Sequence, residues 1–399
     1  MLQLEKAENL LCEQVNPMKE TETIPLLKAI GRMIAQDGKA LEDQPPFPRS
    51  PLDGYAVRGI DTTGAEKENP KTFTVIGKVC AGSVFKGEVK EREAVRIMTG
   101  APIPKGADTV IRQEDTDYGE EEVKIFSSSK AYENYCPQGE DYRAGQTLIK
   151  NGSKILGAQA AILASLGIAE VEVYQRAKIA VISTGDEVMQ PGKELESGKI
   201  YDSNLHYICA RLIELGIEPM VSCHCSDDTV QMAEMIKRIA PKADLIITTG
   251  GVSVGEKDIM HEVLTFLNAK KLFWQVDIKP GAPTLAADYL NTLIICLSGN
   301  PYGAAANFEL LVRPVIGKLT GDCAWIVKKK KAVLQNNFFK RSGVRRFLRG
   351  WEDSGKVWVV TGNQSSGALA SMLNSNCLIE ISKNREGARK GDQVWIHPI

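Results

Sequence analysis

Histidine is scarce in this sequence, with four among 399 residues. So few imidazoles provide no histidine-based catalytic or zinc-binding arrangement, since a zinc site made only of protein groups needs about four ligands. The segment Cys223-His224-Cys225 is a tight cluster, but alternation along a strand would turn its sulfurs and its imidazole to opposite faces. The chain also lacks a G-x-x-x-x-G-K-[ST] phosphate-binding loop. Zinc chemistry and P-loop nucleotide hydrolysis are therefore not predicted.

Long apolar runs are missing as well. An uncharged stretch at residues 290–308 is broken by Gly299 and Pro301, which argues against a membrane-spanning helix. The first residues include Glu5 and Lys6 and show no apolar core of a signal peptide. The nine cysteines are scattered and odd in number, which is typical of reduced thiols rather than of a disulfide framework. We therefore expect a cytoplasmic protein that does not bind membranes.

The chain has almost no net charge, because its 49 Lys and Arg residues are balanced by 50 Asp and Glu residues. A globally basic nucleic-acid binder is thereby excluded, and we expect no nucleic-acid partner. The charge is nevertheless uneven, since residues 323–399 hold 14 Lys and Arg against 5 Asp and Glu. This excess is typical of a solvated face, or alternatively of a surface that docks against an acidic partner. Its unevenness favours separate structural modules.

The flanks of the chain suggest a helix and two β-rich regions. Apolar residues near the 3.6 period predict helix over the first thirty residues. Short β-like runs punctuated by Gly, Pro and Asp predict a β-rich domain around residues 71–126, and a short helix follows at residues 156–166. Further short β segments predict a small β domain in the last 75 residues or so.

Strands and helices alternate between residues 178 and 319. Unbroken apolar strands separated by helices are typical of βαβ units, in which a mostly parallel sheet is covered on both faces. The sequence therefore predicts a central three-layer α/β domain. Its predicted strands are residues 178–183, 218–222, 244–249, 272–278 and 292–297, and its predicted helices are residues 203–215, 228–239, 256–267 and 302–319.

Three loops follow predicted strands of this domain, at the edge where open α/β sheets bind ligands. They are the STGDE loop (residues 183–187), the glycine loop (residues 249–258, TGGVSVGEKD) and the SGNP loop (residues 298–301). The glycines Gly250 and Gly251 leave backbone N–H groups open to an oxyanion, and a helix predicted to start near Glu256 adds a favourable dipole. The alternative is that these are simply tight turns between strands and helices.

Carboxylates accompany these loops. Asp186, Glu187, Asp228 and Asp258 fall at predicted strand ends or helix starts. Next to an anion site, carboxylates are explained by a divalent cation between them, and oxygen ligands together with substrate phosphate suit Mg²⁺. Asp228 equally suits a helix cap, and Asp258 favours a helix dipole.

Six motifs occur in an order that resembles the molybdopterin molybdenumtransferase (MoeA) family, which includes the gephyrin E domain. They span essentially the whole chain, so the order is more specific than any single motif. They are residues 50–58 (SPLDGYAVR), 96–104 (RIMTGAPIP), 182–187 (ISTGDE), 250–255 (GGVSVG), 278–281 (IKPG) and 298–301 (SGNP).

The resemblance implies insertion of molybdenum from molybdate into adenylylated molybdopterin, with release of AMP and with Mg²⁺. It also implies a homodimer with an active cleft shared between subunits, and molybdopterin adenylyltransferase as a partner. The implied catalytic residues are Asp53 and Thr99 from one subunit and Glu187, Asp228 and Lys279 from the other, with Asp53 and Glu187 at the metal. The implied substrate-binding residues are Ser183, Thr184, Gly185, Asp186, Gly250, Gly251, Ser253, Asp258, Ser298, Gly299, Asn300 and Pro301.

On this resemblance, the fold is a multidomain α/β fold with four parts. The central α/β molybdopterin-binding domain is accompanied by an elongated linker domain, a small β-rich domain and a C-terminal β-barrel-like domain. In the same order, the four domains are expected at residues 177–322, at residues 1–45 with 141–176, at residues 46–140, and at residues 323–399.

The sequence departs from the family pattern near the expected anion site. Ala282 stands where the family has lysine, Ser298 where it has proline, and Tyr302-Gly303 where it has a small Val-Ser pair. Residues 135–138 lack an arginine that the family often carries. Each lost charged hydrogen bond is worth about 1.5–3 kcal/mol, so anion affinity is expected to fall unless it is compensated. The alternative is therefore a weakened or tungstate-preferring paralogue that acts as a pterin-binding scaffold.

Overall fold

The computed structural model describes residues 1–253 and 258–399. The chain divides into two compact units. The α/β unit comprises Met1–Ile24, Ala29–Ala35 and Glu172–Ile399, and the β-rich unit comprises Pro25–Lys28 and Gln36–Val171. Within the described ranges, every helix is too short or too polar to cross a membrane.

The helices and strands are numbered in chain order. The α-helices are α1 (Leu4–Glu13), α2 (Gly157–Ser165), α3 (Ser203–Glu214), α4 (Thr229–Ile239), α5 (Met260–Phe266), α6 (Pro301–Asn307) and α7 (Arg313–Thr320). The strands are β1 (Thr21–Pro25), β2 (Gly38–Lys39), β3 (Gly54–Val57), β4 (Lys71–Val79), β5 (Glu93–Ile97), β6 (Thr109–Arg112), β7 (Glu122–Ile125), β8 (Thr147–Ile149), β9 (Glu170–Tyr174), β10 (Ile179–Thr184), β11 (Val188–Met189), β12 (Ile200–Tyr201), β13 (Val221–Cys225), β14 (Leu245–Thr249), β15 (Lys270–Trp274), β16 (Ile278–Lys279), β17 (Leu285–Tyr289), β18 (Thr292–Leu297), β19 (Lys330–Leu334), β20 (Arg345–Asp353), β21 (Lys356–Val359), β22 (Cys377–Ile381) and β23 (Gln393–Pro398).

The β-rich unit is built on a five-stranded sheet in the order β6-β3-β5-β4-β7. Its apolar side chains are buried on both faces, as Tyr55 and Val95 illustrate with no exposed surface. A side chain at Gly54 would meet the backbone oxygen of Ile111 at 1.9 Å, so glycine allows β3 and β6 to pair closely at this point. The β-rich character predicted around residues 71–126 is confirmed.

The central sheet of the α/β unit has the order β13-β10-β14-β18-β17-β15. The first four strands are parallel, and the last two are antiparallel to their neighbours. Successive residues of β10 pack into different cores, because Val181 joins the cluster that contains Ile208 of α3, whereas Ile182 joins the cluster that contains Met232 of α4. Helices therefore cover both faces, and the predicted three-layer domain with a mostly parallel sheet is confirmed.

Two predicted strands of this sheet differ from the structure. The strand predicted at residues 218–222 begins only at Val221. The run predicted at residues 272–278 is two separate strands, β15 and β16, because Gln275 between them has a φ of 67°, outside the extended region. Strand β17 was not predicted, since its sequence LAADY lacks the β-branched residues that mark strands.

The predicted helices at the two ends of the α/β unit also need correction. The prediction of helix over the first thirty residues is wrong beyond Glu13, where Pro17 follows and β1 begins at Thr21. The helix predicted over residues 302–319 is α6 and α7 joined by a π-helical turn at Phe308–Val312. Pro314 has no N–H to bond the carbonyl four residues earlier, which accounts for the wider turn there.

The C-terminal strands form a closed barrel. Strands β20, β21, β19, β23 and β22 pair in a ring, since β22 pairs back with β20, and β16 extends the ring at β20. Its interior is filled by buried side chains such as Leu334, Leu348, Ile379 and Ile396. The prediction of a C-terminal β-barrel-like domain is confirmed.

The four consecutive lysines Lys328–Lys331, the last two of which begin β19, contribute to the basic excess of residues 323–399, and three of them contact side chains of the barrel itself. Lys330 Nζ lies 2.8 Å from a Glu352 carboxylate oxygen. The ammonium groups of Lys329 and Lys331 lie 5.1 and 5.4 Å from the centroid of the Trp395 ring. Such exposed pairs contribute little stability, at most about 1 kcal/mol each. The arrangement fits the solvated face that the sequence predicts.

Candidate functional site

A cleft of about 560 Å³ lies in the α/β unit, at the carboxyl ends of β10, β14 and β18. Its position follows from the parallel pairing of these strands, which brings the loops after them to one edge of the sheet. The cleft unites the STGDE loop, the described part of the glycine loop and the SGNP loop. The predicted site residues that line it are Ser183, Thr184, Gly185, Glu187, Gly250, Gly251, Ser253, Asp258, Ser298, Gly299, Asn300 and Pro301.

Three predicted site residues of the α/β unit do not line this cleft. Asp186 lies beside it and exchanges hydrogen bonds of 3.2 Å with Asp227, backbone N–H to carboxylate in both directions. Asp228 caps α4, because its Oδ1 accepts the backbone N–H of Gln231 at 2.8 Å. Lys279 is exposed in β16.

Asp227 lines the cleft, in contrast to the neighbouring Asp228 that the resemblance indicated. The hydroxyl of Thr184 donates to Asp227 Oδ1 at 2.7 Å, which holds this carboxylate against the end of β10. The doublet Asp227-Asp228 was visible in the sequence, but periodicity does not tell which of two adjacent carboxylates caps the helix and which faces the ligand. Glu256, near which a helix was predicted to start, and Gly255 of the glycine loop lie outside the described residues.

Glycine permits the close approach of two loops in the cleft. Gly250 has a φ of 99°, and a Cβ there would lie 2.3 Å from the backbone oxygen of Thr184. Any side chain at this position would push the STGDE loop and the glycine loop apart. Gly251 also has a positive φ, of 61°, but a Cβ there would meet nothing closer than 3.3 Å.

The first turn of α3 contributes side chains that the sequence analysis did not single out. Asp202 caps the helix, since its Oδ1 accepts the backbone N–H of Leu205 at 3.0 Å. Its other oxygen accepts the Ser183 hydroxyl proton at 2.5 Å, and Ser183 Oγ also lies 3.1 Å from His224 Nδ1. Asn204 completes this group. The sequence predicted a helix from residue 203, and Asp202 directly before it is the N-cap signal that would have drawn attention to the side chains of this turn.

Arg349 of β20, a residue with no exposed surface, packs against Tyr302, the residue that directly follows the SGNP loop. The Arg349 guanidinium lies 3.9 Å from the ring centroid of Tyr302 and donates to the backbone oxygens of Asn363 and Ser365. Burial lowers the pKa of Arg349. Tyr302, one of the departures from the family pattern, is therefore a buried stacking partner of an arginine.

Carboxylates in the cleft are the available ligands for a cation. Glu187, Asp227 and Asp258 line it. Among residues 1–253 and 258–399, no group of three or more His, Cys, Asp or Glu side chains is arranged to hold a metal ion. The hard oxygen donors of these three cleft carboxylates nevertheless fit Mg²⁺, because this ion commonly takes one or two carboxylates and completes its shell with water and substrate phosphate.

The segment 251–255 also matches the letters G-x-S-x-G of a hydrolase nucleophile elbow. No histidine is among the described residues that line the cleft. Ser253 therefore lacks the imidazole base that this motif requires, as far as the structure describes the site.

Asp53 and Thr99 lie together in the β-rich unit. The carboxylate of Asp53 accepts both the backbone N–H and the hydroxyl proton of Thr99, each at 2.7 Å. These two bonds hold the pKa of Asp53 below its ordinary value, so the half-buried side chain stays anionic.

A second cleft, of about 530 Å³, lies beside this pair in the β-rich unit. Thr99, Arg49, Tyr135, Cys136 and Glu140 are among its lining residues. Burial, followed by the hydrogen bond to Glu140, raises the pKa of the Cys136 thiol. The departure from the family pattern at residues 135–138 thus places an aromatic ring and a neutral thiol in this cleft, and Arg49 supplies a cation.

A helix-covered sheet whose cleft lies at the carboxyl ends of parallel strands defines the class of α/β ligand-binding proteins. Three family models match the chain in succession: the MoeA N-terminal region (domain I and II) over residues 2–167, a probable molybdopterin binding domain over residues 180–318, and the MoeA C-terminal region (domain IV) over residues 331–399. The chain belongs to the MoeA family.

Full-length relatives agree with this assignment. The chain is 36% identical over 377 residues to a molybdopterin molybdenumtransferase of Staphylococcus aureus (strain COL), covering 94% of this chain and 90% of the relative. It is also 36% identical to one of Haemophilus influenzae, covering 100% of this chain and 99% of the relative. The crystal structure of a molybdopterin biosynthesis moeA protein from Pyrococcus horikosii matches with a TM-score of 0.87 and 31% identity, covering 100% of this chain and 99% of the other.

Proposed function

We propose that this protein is a molybdopterin molybdenumtransferase of molybdenum cofactor biosynthesis. It transfers molybdenum from molybdate to adenylylated molybdopterin and releases AMP. The observation that carries the proposal is the α/β cleft, in which three glycine-containing loops and three carboxylates meet within a domain of the MoeA family. The alternative of a weakened or tungstate-preferring scaffold is not favoured, because relatives that match nearly the whole chain share the transferase name.

The loops of the cleft are proposed to bind the adenylylated pterin. The backbone N–H groups of Gly251 and Gly299 suit phosphate oxygens, because no side chain shields them, whereas the Gly250 N–H donates to the backbone oxygen of Leu297 at 3.2 Å. The exposed Lys279 is proposed to supply a cation for phosphate or molybdate. Glu187 and Asp53 are proposed to hold Mg²⁺, which would neutralise phosphate charge and so favour departure of AMP.

A homodimer is proposed to complete this site, with Asp53 and Thr99 of one subunit serving the Glu187 side of the other. What supports a charged role for Asp53 is its carboxylate, which the two hydrogen bonds from Thr99 keep anionic. We further propose a cytoplasmic location and molybdopterin adenylyltransferase as the partner that delivers the pterin.

The test is an AMP-release assay on the purified protein with adenylylated molybdopterin, Mg²⁺ and molybdate. We expect molybdate-dependent release, and a loss of at least ~100-fold in Asp53→Ala and Glu187→Ala, since removing a group that stabilises charge in the reaction typically costs this much. Glu194→Ala is the matched control, because Glu194 is exposed and does not line the cleft. The wild-type protein releasing no AMP would refute the proposal.

A further inference from the structure

Asn204 ties two loops of the cleft together from the first turn of α3. Its Nδ2 donates one hydrogen bond to Thr249 Oγ1 at 3.0 Å and another to the backbone oxygen of Gly299 at 2.8 Å. Thr249 begins the glycine loop and Gly299 lies in the SGNP loop. Asn204, Thr249 and Gly299 all line the cleft. The half-buried Asn204 amide thus connects two loops that are about 50 residues apart in the sequence.

The chemistry of the partners fixes which way the amide faces. The Thr249 hydroxyl gives its proton to the backbone oxygen of Ser298 at 3.1 Å, so toward Asn204 its oxygen can only accept. The backbone oxygen of Gly299 is an acceptor in any case. Both neighbours therefore require a donor, and turning the Asn204 amide around would set its oxygen against two acceptors. Both amide protons are used, and the side chain has a single orientation.

The helix that carries Asn204 is itself fixed to the remaining loop. Asp202, two residues earlier, caps α3 and accepts the hydroxyl proton of Ser183 at the end of β10. The first turn of α3 thus contacts all three loops of the cleft. Because the turn is held by its own cap, Asn204 acts from a rigid position and sets the spacing between the glycine loop and the SGNP loop.

We propose that Asn204 is a positioning residue for the transferase reaction, which holds the glycine loop and the SGNP loop at the spacing that the phosphate-bearing part of the pterin substrate requires. The inference rests on the proposed function. A ligand that binds N–H groups of both loops loses contacts with one loop when the spacing changes. These loops hold the substrate before and during the reaction alike, so the KM for the pterin substrate depends on Asn204 more than kcat does.

Kinetics of Asn204→Asp and Asn204→Ala test the proposal. The Asp variant keeps the size of the side chain but has no N–H to offer the Gly299 carbonyl. Two lost hydrogen bonds correspond to a rise of about 10- to 100-fold in the KM for adenylylated molybdopterin, with kcat changed less than about 3-fold. A variant that merely unfolded part of the protein would lower kcat and the melting temperature and leave KM unchanged.

Asn291→Asp is the matched control. Asn291 is exposed at the start of β18, at the opposite end of the strand that leads into the SGNP loop. The same chemical change there is expected to leave both kinetic constants unaltered. An active wild-type protein in which Asn204→Asp behaves like Asn291→Asp would overturn the inference alone, whereas an inactive wild-type protein would overturn it together with the proposed function.

Variants of Thr249 identify the route. Thr249→Val removes the hydroxyl that Asn204 binds, and Thr249→Ser retains it. We expect Asn204→Ala to have a smaller effect on KM in the Val background than in the wild type, and an undiminished effect in the Ser background. Equal effects of Asn204→Ala in all three backgrounds would show that the Asn204–Thr249 bond does not carry the coupling, which contradicts the proposal.

Discussion

Replacing Gly250 by alanine should damage the cleft far more than the same replacement at Gly251. At Gly250 the added Cβ would lie 2.3 Å from the backbone oxygen of Thr184, and restoring even a 3.0 Å contact needs about 0.7 Å of separation between the two loops. The φ of 99° adds backbone strain of about 1–3 kcal/mol. At Gly251 the φ of 61° is left-handed helical, and its nearest contact of 3.3 Å asks for only a small adjustment.

The expected magnitudes follow from these contacts. Gly251→Ala should cost about 1–2 kcal/mol of unfolding free energy and change kcat/KM little. Gly250→Ala should cost at least about 3 kcal/mol and lower kcat/KM by about 100-fold, because displacements near 1 Å at a site that positions substrate have effects of this size. Urea denaturation followed by circular dichroism measures the first quantity, and AMP release measures the second. Equal kcat/KM values for the two variants would refute the reasoning.

Three further predictions concern charges. Glu309→Ala should lower the unfolding free energy by about 3–5 kcal/mol in urea denaturation. The buried Glu309 pairs with Arg211 at 2.7 Å and with Arg313 at 2.9 Å; Arg211 would retain its pair with Glu214, whereas the buried Arg313 would lose its carboxylate partner. An unchanged midpoint would contradict this. Thr99→Val should raise the pKa of Asp53 toward its ordinary 3.8, because the hydroxyl bond that lowers it is gone, so in an NMR titration the carboxylate would protonate at higher pH than in the wild type. EDTA should abolish AMP release and added Mg²⁺ should restore it; activity that survives chelation would exclude the divalent cation.

The sequence predicted the α/β sheet well because its buried strands are unbroken apolar runs. Ile179–Thr184 and Thr292–Leu297 have no exposed residue, and such runs are recognisable without any knowledge of their neighbours. The loops after these strands were located for the same reason. The antiparallel strand β17 escaped prediction, since Leu285–Tyr289 has weak β propensity and owes its conformation to pairing with β18.

Contacts between distant segments account for what the sequence did not reveal at the site. Asn204 is defined by bonds to Thr249 and Gly299, and nothing local distinguishes it from a solvated helix residue. Arg349 belongs to a basic segment whose charge suggested a solvated face, yet it is buried against Tyr302. Periodicity reports which face of an element is apolar, whereas partners of polar side chains emerge only when the chain is folded.

The closed ring of the C-terminal barrel constrains the order in which the protein can be made. Strand β23, Gln393–Pro398, pairs with β19 on one side and with β22 on the other, so it is the last piece of the ring to leave the ribosome. Until it emerges, β19 and β22 each present an open edge, which in a nascent chain invites pairing with other molecules. Arrest or truncation of synthesis before residue 393 would therefore leave β19 and β22 with unpaired edges. The codons for residues 393–398 thus protect the protein against aggregation as well as closing the barrel.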